Sequence, residues 1–313
     1  MAGRGRGLGP LSASFPAPRM IRTLDRLAPA EASRLVAGYR DARDARRRTT
    51  AIGAVVLVLL TGLAAYQAEI DPIKFADNIG NLTAYVGRLF WLDSGAFVLT
   101  DPGEWFWGWK RWGRLLAETL MMAYLGTLAG ALIGFALCFF ASANLVATPW
   151  VRIGARRLLE FGRTVPELVF ALIFIVAFGL GPLPGILAIA IHTTGALGKQ
   201  FAEAVENIDM KPVEGVKATG AAWTEQVRFG VVPQVLSNFA SYALLRFEIN
   251  VRGAAIMGFV GAGGIGHELI TSIRRFQYAD ISALLLVIVT TVMMIDWLTE
   301  KLRNRFIADG DRA

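Results

Sequence analysis

Ile281-Ser-Ala-Leu-Leu-Leu-Val-Ile-Val-Thr-Thr-Val-Met-Met-Ile-Asp-Trp-Leu298 runs for eighteen residues with Asp296 as its single charge. As a helix it would reach about 27 Å, close to the ~30 Å hydrocarbon thickness of a bilayer. Four more long apolar segments lie upstream, at 51–68, 117–141, 166–180 and 183–198. A sixth, 235–265, is long enough but holds Arg246, Glu248 and Arg252. With 54% hydrophobic residues in 313, so many apolar runs exclude an ordinary soluble domain. The expected fold is all-α: a polytopic membrane protein of about six transmembrane helices.

Charge orients these spans. Arg46-Arg47-Arg48 precede the first, and Lys301, Arg303 and Arg305 follow the last. Cytoplasmic flanks collect Lys and Arg, so both termini are expected inside, which six spans allow. Arg152, Arg156 and Arg157 put 149–157 inside as well. Segment 69–110 is acidic instead, and its Trp105, Trp107, Trp109 and Trp112 read as an aromatic belt at the outer interface. The net charge of +7 follows from this topology and predicts no nucleic-acid partner; the lipid bilayer is the partner it does predict.

The chain then divides into a basic N-terminal segment 1–50, a first span 51–68 and a periplasmic or interfacial segment 69–114. A transmembrane domain 115–305 and a tail 306–313 complete it. Within the first, 1–18 is rich in Gly, Pro and Arg and reads as disordered. Residues 29–48 fit a basic amphipathic helix on the inner leaflet. No small-residue cleavage pattern follows the first apolar run, so it is expected to remain as an anchor. Cys138 is the lone cysteine and has no partner for an internal disulfide.

Chemistry-bearing motifs are few. Gly195-Ala-Leu-Gly198-Lys199-Gln200 lacks the four-residue spacer and the Ser or Thr that a phosphate-binding loop needs. Gly261-Ala-Gly263-Gly264-Ile-Gly266 has dinucleotide-fingerprint spacing but ends a membrane span, with no strand–helix alternation around it. Gly261, Gly263, Gly264 and Gly266 are expected to mark a helix break or close packing at the outer end of the fifth span. His192 and His267 have no Cys or carboxylate cluster beside them, so no metal site is expected. No catalytic constellation stands out, and the chain is not expected to be an enzyme. Gly179-Leu-Gly-Pro-Leu-Pro-Gly185 is a tight outer turn joining the third and fourth spans.

Residues 199–233 form the main cytoplasmic loop. Its Glu214-Gly-Val-Lys-Ala-Thr-Gly220, nine residues, then Gly230-Val-Val-Pro233 resembles the coupling loop of ABC-importer permeases. That pattern has Glu-Ala-Ala, three residues, Gly, nine residues, Ile, one residue, Leu-Pro. Glu214, Gly220 and Pro233 keep the spacing; Gly215, Val216, Gly230 and Val232 depart from it. Segments before Gly220 and over 221–229 can each form a short helix, with Gly220 in the turn. Trp223 and Val227 are four apart and are expected to present one face to a groove on another protein. The coupling loop is bounded at 203–233.

More of the chain is similar to the phosphonate permease of bacterial ABC importers. Arg163-Thr-Val-Pro-Glu167, Gly179-Leu-Gly-Pro182, Ile191-His-Thr193 with Gly198-Lys199, Arg246-Phe-Glu-Ile-Asn-Val-Arg252 and Val260-Gly-Ala-Gly-Gly-Ile-Gly-His-Glu-Leu-Ile270 carry this. The Gly-rich stretch is shared with methionine-type permeases. The resemblance implies a bacterial inner-membrane permease dimer, pairing two copies or two homologous chains, above an ABC ATPase dimer. It also implies a periplasmic phosphonate-binding protein, and uptake of phosphonates or of phosphate or phosphite compounds. ATP and magnesium would then bind the ATPase, with no cofactor on this chain. The other readings are a permease for another solute such as methionine, or a secondary transporter without an ATPase.

Charges at membrane depth are costly and so point to function. Glu248 and Arg252, four apart, are expected to pair; Arg246 and Asn250 lie on a neighbouring stripe. One glutamate against two arginines leaves a positive charge over, which suits an anionic substrate. Arg246, Glu248, Asn250 and Arg252 are therefore either a substrate path or a structural network. His192, Thr193 and Thr194 either line a polar path or bond backbone carbonyls. Arg163 and Glu167 are expected to form a local pair at the inner interface.

Overall fold

The computed structural model describes residues 29–310 and is helical nearly throughout, with one isolated bridge between Trp91 and Phe97. The expectations for 1–18 and for the last three residues lie outside that range. The chain divides into two compact units, Met1–Gly80 and Asn81–Ala313.

In the first unit, α1 (Pro29–Gln67) is one unbroken helix. The basic segment 29–48 is thus a direct extension of the first span and not a separate surface helix. Its Ala- and Arg-rich stretch favours helix, and after Pro29 no proline interrupts it. Its apolar span, Ala37–Gln67, exposes Leu57, Val58, Leu59, Leu60 and Leu63, as a lipid-facing helix would. Glu69 takes a left-handed turn, and the Asp71 carboxylate accepts from the Ile73 and Lys74 amides (3.0 and 3.1 Å) to start α2 (Pro72–Arg88).

In the second unit, a short turn of helix, α3 (Pro102–Trp105), leads into α4 (Trp109–Ala141). Then follow α5 (Pro149–Thr164), α6 (Glu167–Phe178) and α7 (Pro182–Glu206). The polar loop holds α8 (Met210–Ala218) and α9 (Trp223–Glu225). A π-helical stretch, Gln226–Val231, runs into α10 (Val232–Met257). The last helices are α11 (Gly264–Arg274) and α12 (Tyr278–Gly310). Helix α12 continues past residue 305, so the expected tail boundary falls inside a helix.

Helix α7 is the centre of this unit. Gly126, Gly130 and Gly134 of α4 recur every fourth residue and face it. A Cβ on Gly126 would lie 2.6 Å from Ile189 Cγ2, and one on Gly130 2.6 Å from Thr193 Cβ. In a bilayer such small-residue stripes let backbones approach and take van der Waals packing as their main gain. Gly195 of α7 crosses α5 as closely, its Cβ position 2.4 Å from the Arg163 amide.

Three helices are long and apolar enough to cross a membrane unbroken: Ala37–Gln67, Trp109–Ala141 and Tyr278–Phe306. Two bent pairs qualify as pairs, α5 with α6 at 86° and Trp223–Val260 with α11 at 47°. All six expected segments contain helix, but 166–180 is not a straight span. Its helix α6 has 12 residues, about 18 Å, and Pro166 forces the bend from α5.

The expected aromatic belt is split. Trp105 and Trp112 are buried with Leu92, Val98, Ile265, Leu269 and Leu284, while Trp107 and Trp109 are exposed. The Trp105 and Trp107 indole N–H groups donate to Ser282 (3.0 Å) and Asp280 (2.8 Å), so this outer segment is anchored to the start of α12.

Candidate functional site

The expected loop 203–233 starts inside the last turn of α7, and past it the Asp209 carboxylate accepts from the Lys211 amide (3.0 Å) and caps α8. Gln234 at the start of α10 clasps Asp209 through both its amide (3.2 Å) and carbonyl (3.1 Å). Gly220 has φ +83°, the left-handed turn expected between the two short helical segments. Gly230, standing where the coupling pattern has Ile, packs against α8: a Cβ there would lie 2.9 Å from Val213 Cα.

Trp223 and Val227 are corrected. The Trp223 indole N–H donates to the Leu145 carbonyl (3.2 Å), and its ring stacks on Phe140 at 5.5 Å. Val227 is buried in the core with Val213 and Val231. Both side chains fasten the loop to its own chain, because the face they share points toward α4 and α8. The outward face is made instead by Phe229, 61% exposed, beside a groove of about 400 Å³ lined by Gly215, Val216, Thr219, Ala221 and Glu225. Glu214, Gly220 and Pro233 are exposed on the same loop.

The charged residues of α10 separate into two groups. Arg252 pairs with Glu248 as expected, and also lies 3.9 Å from Asp296 of α12. Arg246 faces the other way. One of its terminal nitrogens bonds His192 Nδ1, and His192 Nε2 lies 3.2 Å from the Arg163 carbonyl. Glu167 Oε2 is 3.7 Å from His192 Nδ1, the ring nitrogen that Arg246 bonds. The expected Arg163–Glu167 pair is absent among the described residues, because the bend at Pro166 turns Glu167 toward α10. With Glu167 and Asp296 counted, three carboxylates face the two arginines, so no positive charge is left over on α10.

Asn250 is fully buried and donates to Thr127 (2.8 Å) and Thr193 (2.9 Å), tying α10 to α4 and α7. Thr193 is fully buried too, neither residue lines the two cavities beside α7 and α10, and Thr194 bonds the Ala190 carbonyl (2.8 Å). Arg246 and His192 do line a cavity of about 350 Å³ with Arg163, Lys199, Glu203 and Tyr242. Glu203 and Lys199 sit 3.8 Å apart. A second polar cavity of about 540 Å³ shares Gln200, Glu203 and Tyr242 and continues along α7 and α10 toward Asn207 and Asp209.

At the far end of α10 the helix breaks where the glycines lie. Gly261, Gly263 and Gly264 have φ of +105°, +81° and +71°. Gly266 abuts α10, its Cβ position 1.8 Å from the Ala255 carbonyl. The break is held by Gly181 N–H to Gly261 O (3.2 Å) and by the Ile265 amide donating to Thr119 (2.9 Å). It is packed protein backbone, as a break at membrane depth must be.

Residues 126–306 match the family model described as binding-protein-dependent transport system inner membrane component. The chain belongs to this family. The permease is 43% identical over 201 residues to the phosphite transport system permease protein PtxC of Stutzerimonas stutzeri, covering 64% of this chain and 73% of that one. It is 35% identical over 253 residues to the phosphate-import permease protein PhnE of Mycolicibacterium smegmatis, covering 81% of this chain but 45% of that longer one. A solved structure of the MetNI methionine ABC transporter matches at TM-score 0.55 and 19% identity, over 62% of this chain and 95% of that one. That likeness fixes the permease fold. The chain is the inner-membrane component of a binding-protein-dependent transport system.

Sequence reading missed Asp296, Glu167 and Thr127 as partners. Asp296 and Glu167 were visible as acids in apolar runs; Thr127 gave no signal beyond lying one residue after Gly126.

Proposed function

We propose that this permease moves small phosphorus oxyanions, phosphonates with phosphite or phosphate, from periplasm to cytoplasm. A periplasmic phosphonate-binding protein delivers them, and a separate ABC ATPase dimer, holding ATP and magnesium, drives the cycle. A second permease subunit completes the membrane assembly, and both termini face the cytoplasm. The observation that carries the substrate is the cavity between α5, α7 and α10. It presents Arg163, Lys199 and Arg246 against Glu203, which is already beside Lys199. Such a wall concentrates anions and offers guanidinium forks to tetrahedral oxygens. The printed names of the relatives, phosphite and phosphate permeases, support the same class. Methionine transport has only a distant fold likeness behind it.

The ATPase is placed on the outward face of 203–233, where Phe229 and the adjoining groove offer an apolar surface next to exposed Glu214. The test is uptake by cells expressing the permease with its ATPase and binding protein. Phosphite should accumulate, methylphosphonate should compete, and methionine should not. Accumulation of methionine in place of phosphite would refute the substrate reading.

A further inference from the structure

We infer that Glu167 is a resident negative charge beside Arg246 that opposes the incoming oxyanion and so loosens the arginine's hold on it. This rests on the oxyanion reading above and assigns the residue that keeps binding weak.

The geometry starts at His192. Its Nε2 faces the Arg163 carbonyl (3.2 Å), which can only accept, so Nε2 carries the proton. Nδ1 is then a lone pair, and it accepts from the Arg246 guanidinium. A neutral imidazole in this tautomer cannot be an ion-pair partner for Glu167, although Oε2 lies 3.7 Å from Nδ1. His192 is the group hydrogen-bonded to the guanidinium, and the Glu167 carboxylate stands beside the same ring nitrogen, forming no ion pair with Arg246 among the described residues but setting a negative charge close to it.

Arg246 and Gly253 are seven residues apart and share a face of α10. Gly253 makes room for the carboxylate: a Cβ there would stand 2.5 Å from Glu167 Oε1. The glutamate is thereby seated against a glycine notch and beside the His192 ring nitrogen that Arg246 bonds. Arg246 lines the cavity, and a tetrahedral oxyanion there can bond the guanidinium through its terminal nitrogens.

The cavity, about 350 Å³, is many times the ~30 Å³ share of one water, so it admits a partly hydrated oxyanion. Arg163, which forms no ion pair among the described residues, lies on the same wall. A standing negative charge beside the arginine repels the anion it has admitted, so release stays easy. An Arg246 without a resident carboxylate would be an uncompensated charge at membrane depth and would hold an anion too long.

The test measures equilibrium binding of phosphite to the purified permease–ATPase complex without the binding protein, together with maximal uptake in proteoliposomes. Glu167→Gln should bind phosphite about tenfold more tightly than wild type and turn over several-fold more slowly. Gly253→Ala keeps the carboxylate but pushes it off its seat, and should shift both quantities the same way to a smaller extent. Arg246→Gln should abolish detectable binding. A structural role for Glu167 would lower uptake with no gain in affinity. Unchanged or weaker phosphite binding in a monodisperse Glu167→Gln or Gly253→Ala complex would overturn the proposal. If wild type takes up neither phosphite nor methylphosphonate, the substrate reading fails instead.

Discussion

Arg246 and Arg252 sit on one helix six residues apart, which at 100° per residue turns them about 120° from each other. The turn decides their roles. Arg252 closes a clamp between α10 and α12 through Glu248 and Asp296, with about half its side chain exposed. Half-exposed ion pairs of this kind contribute about 1 kcal/mol or less. Arg252→Gln alone should lower the melting temperature of the solubilised subunit by a few degrees. Glu248→Gln with Arg252→Gln should restore most of it and leave phosphite uptake within about twofold of wild type. Severely reduced uptake in a well-folded double variant would return Arg252 to the path. The Glu248–Arg252 pair was legible because it is local, four residues on one helix. The partners of Arg246 were not, because they come from α6 and α7 and depend on how three helices pack. Arg163–Glu167 has the same local spacing as Glu248–Arg252 and failed, because Pro166 ends the helix between them.

At the scale of elements, apolar length pointed to six segments that all contain helix but was blind to bends. Proline and glycine announced the breaks at 166 and 261–264, yet they did not give the size of the first bend, 86° between α5 and α6. The Gly126-Gly130-Gly134 stripe was plainly periodic, but nothing in the sequence said which helix would occupy it. In the loop, the left-handed Gly220 was foreseen from spacing, whereas the direction of Trp223 and Val227 was not. Four-residue spacing tells that two side chains share a face, and only the structure tells what that face meets. Gly220 has open space around it, so a side chain there is penalised through the backbone alone. Gly220→Val should cost about 1–2 kcal/mol in the loop conformation. The expected outcome is normal insertion with at least a several-fold loss of substrate-stimulated ATP hydrolysis by the assembled transporter. Wild-type stimulation in that variant would remove the loop from the coupling surface.

For the whole molecule, composition and charge were enough to read a helical membrane protein, and family membership over residues 126–306 makes it a permease. The first unit, to Gly80, is described by neither the family match nor the packed core, and its exposed apolar helix was visible from hydropathy alone. What the sequence left ambiguous was how the charge of α10 is balanced, since that sum needs acids from two other helices. The central claim is an ATP-powered oxyanion importer. It is tested most directly by phosphite uptake into proteoliposomes holding the permease and its ATPase, with ATP sealed inside and binding protein added outside. Uptake that requires both ATP and the binding protein is the predicted result. Phosphite accumulation that proceeds equally without ATP would contradict it.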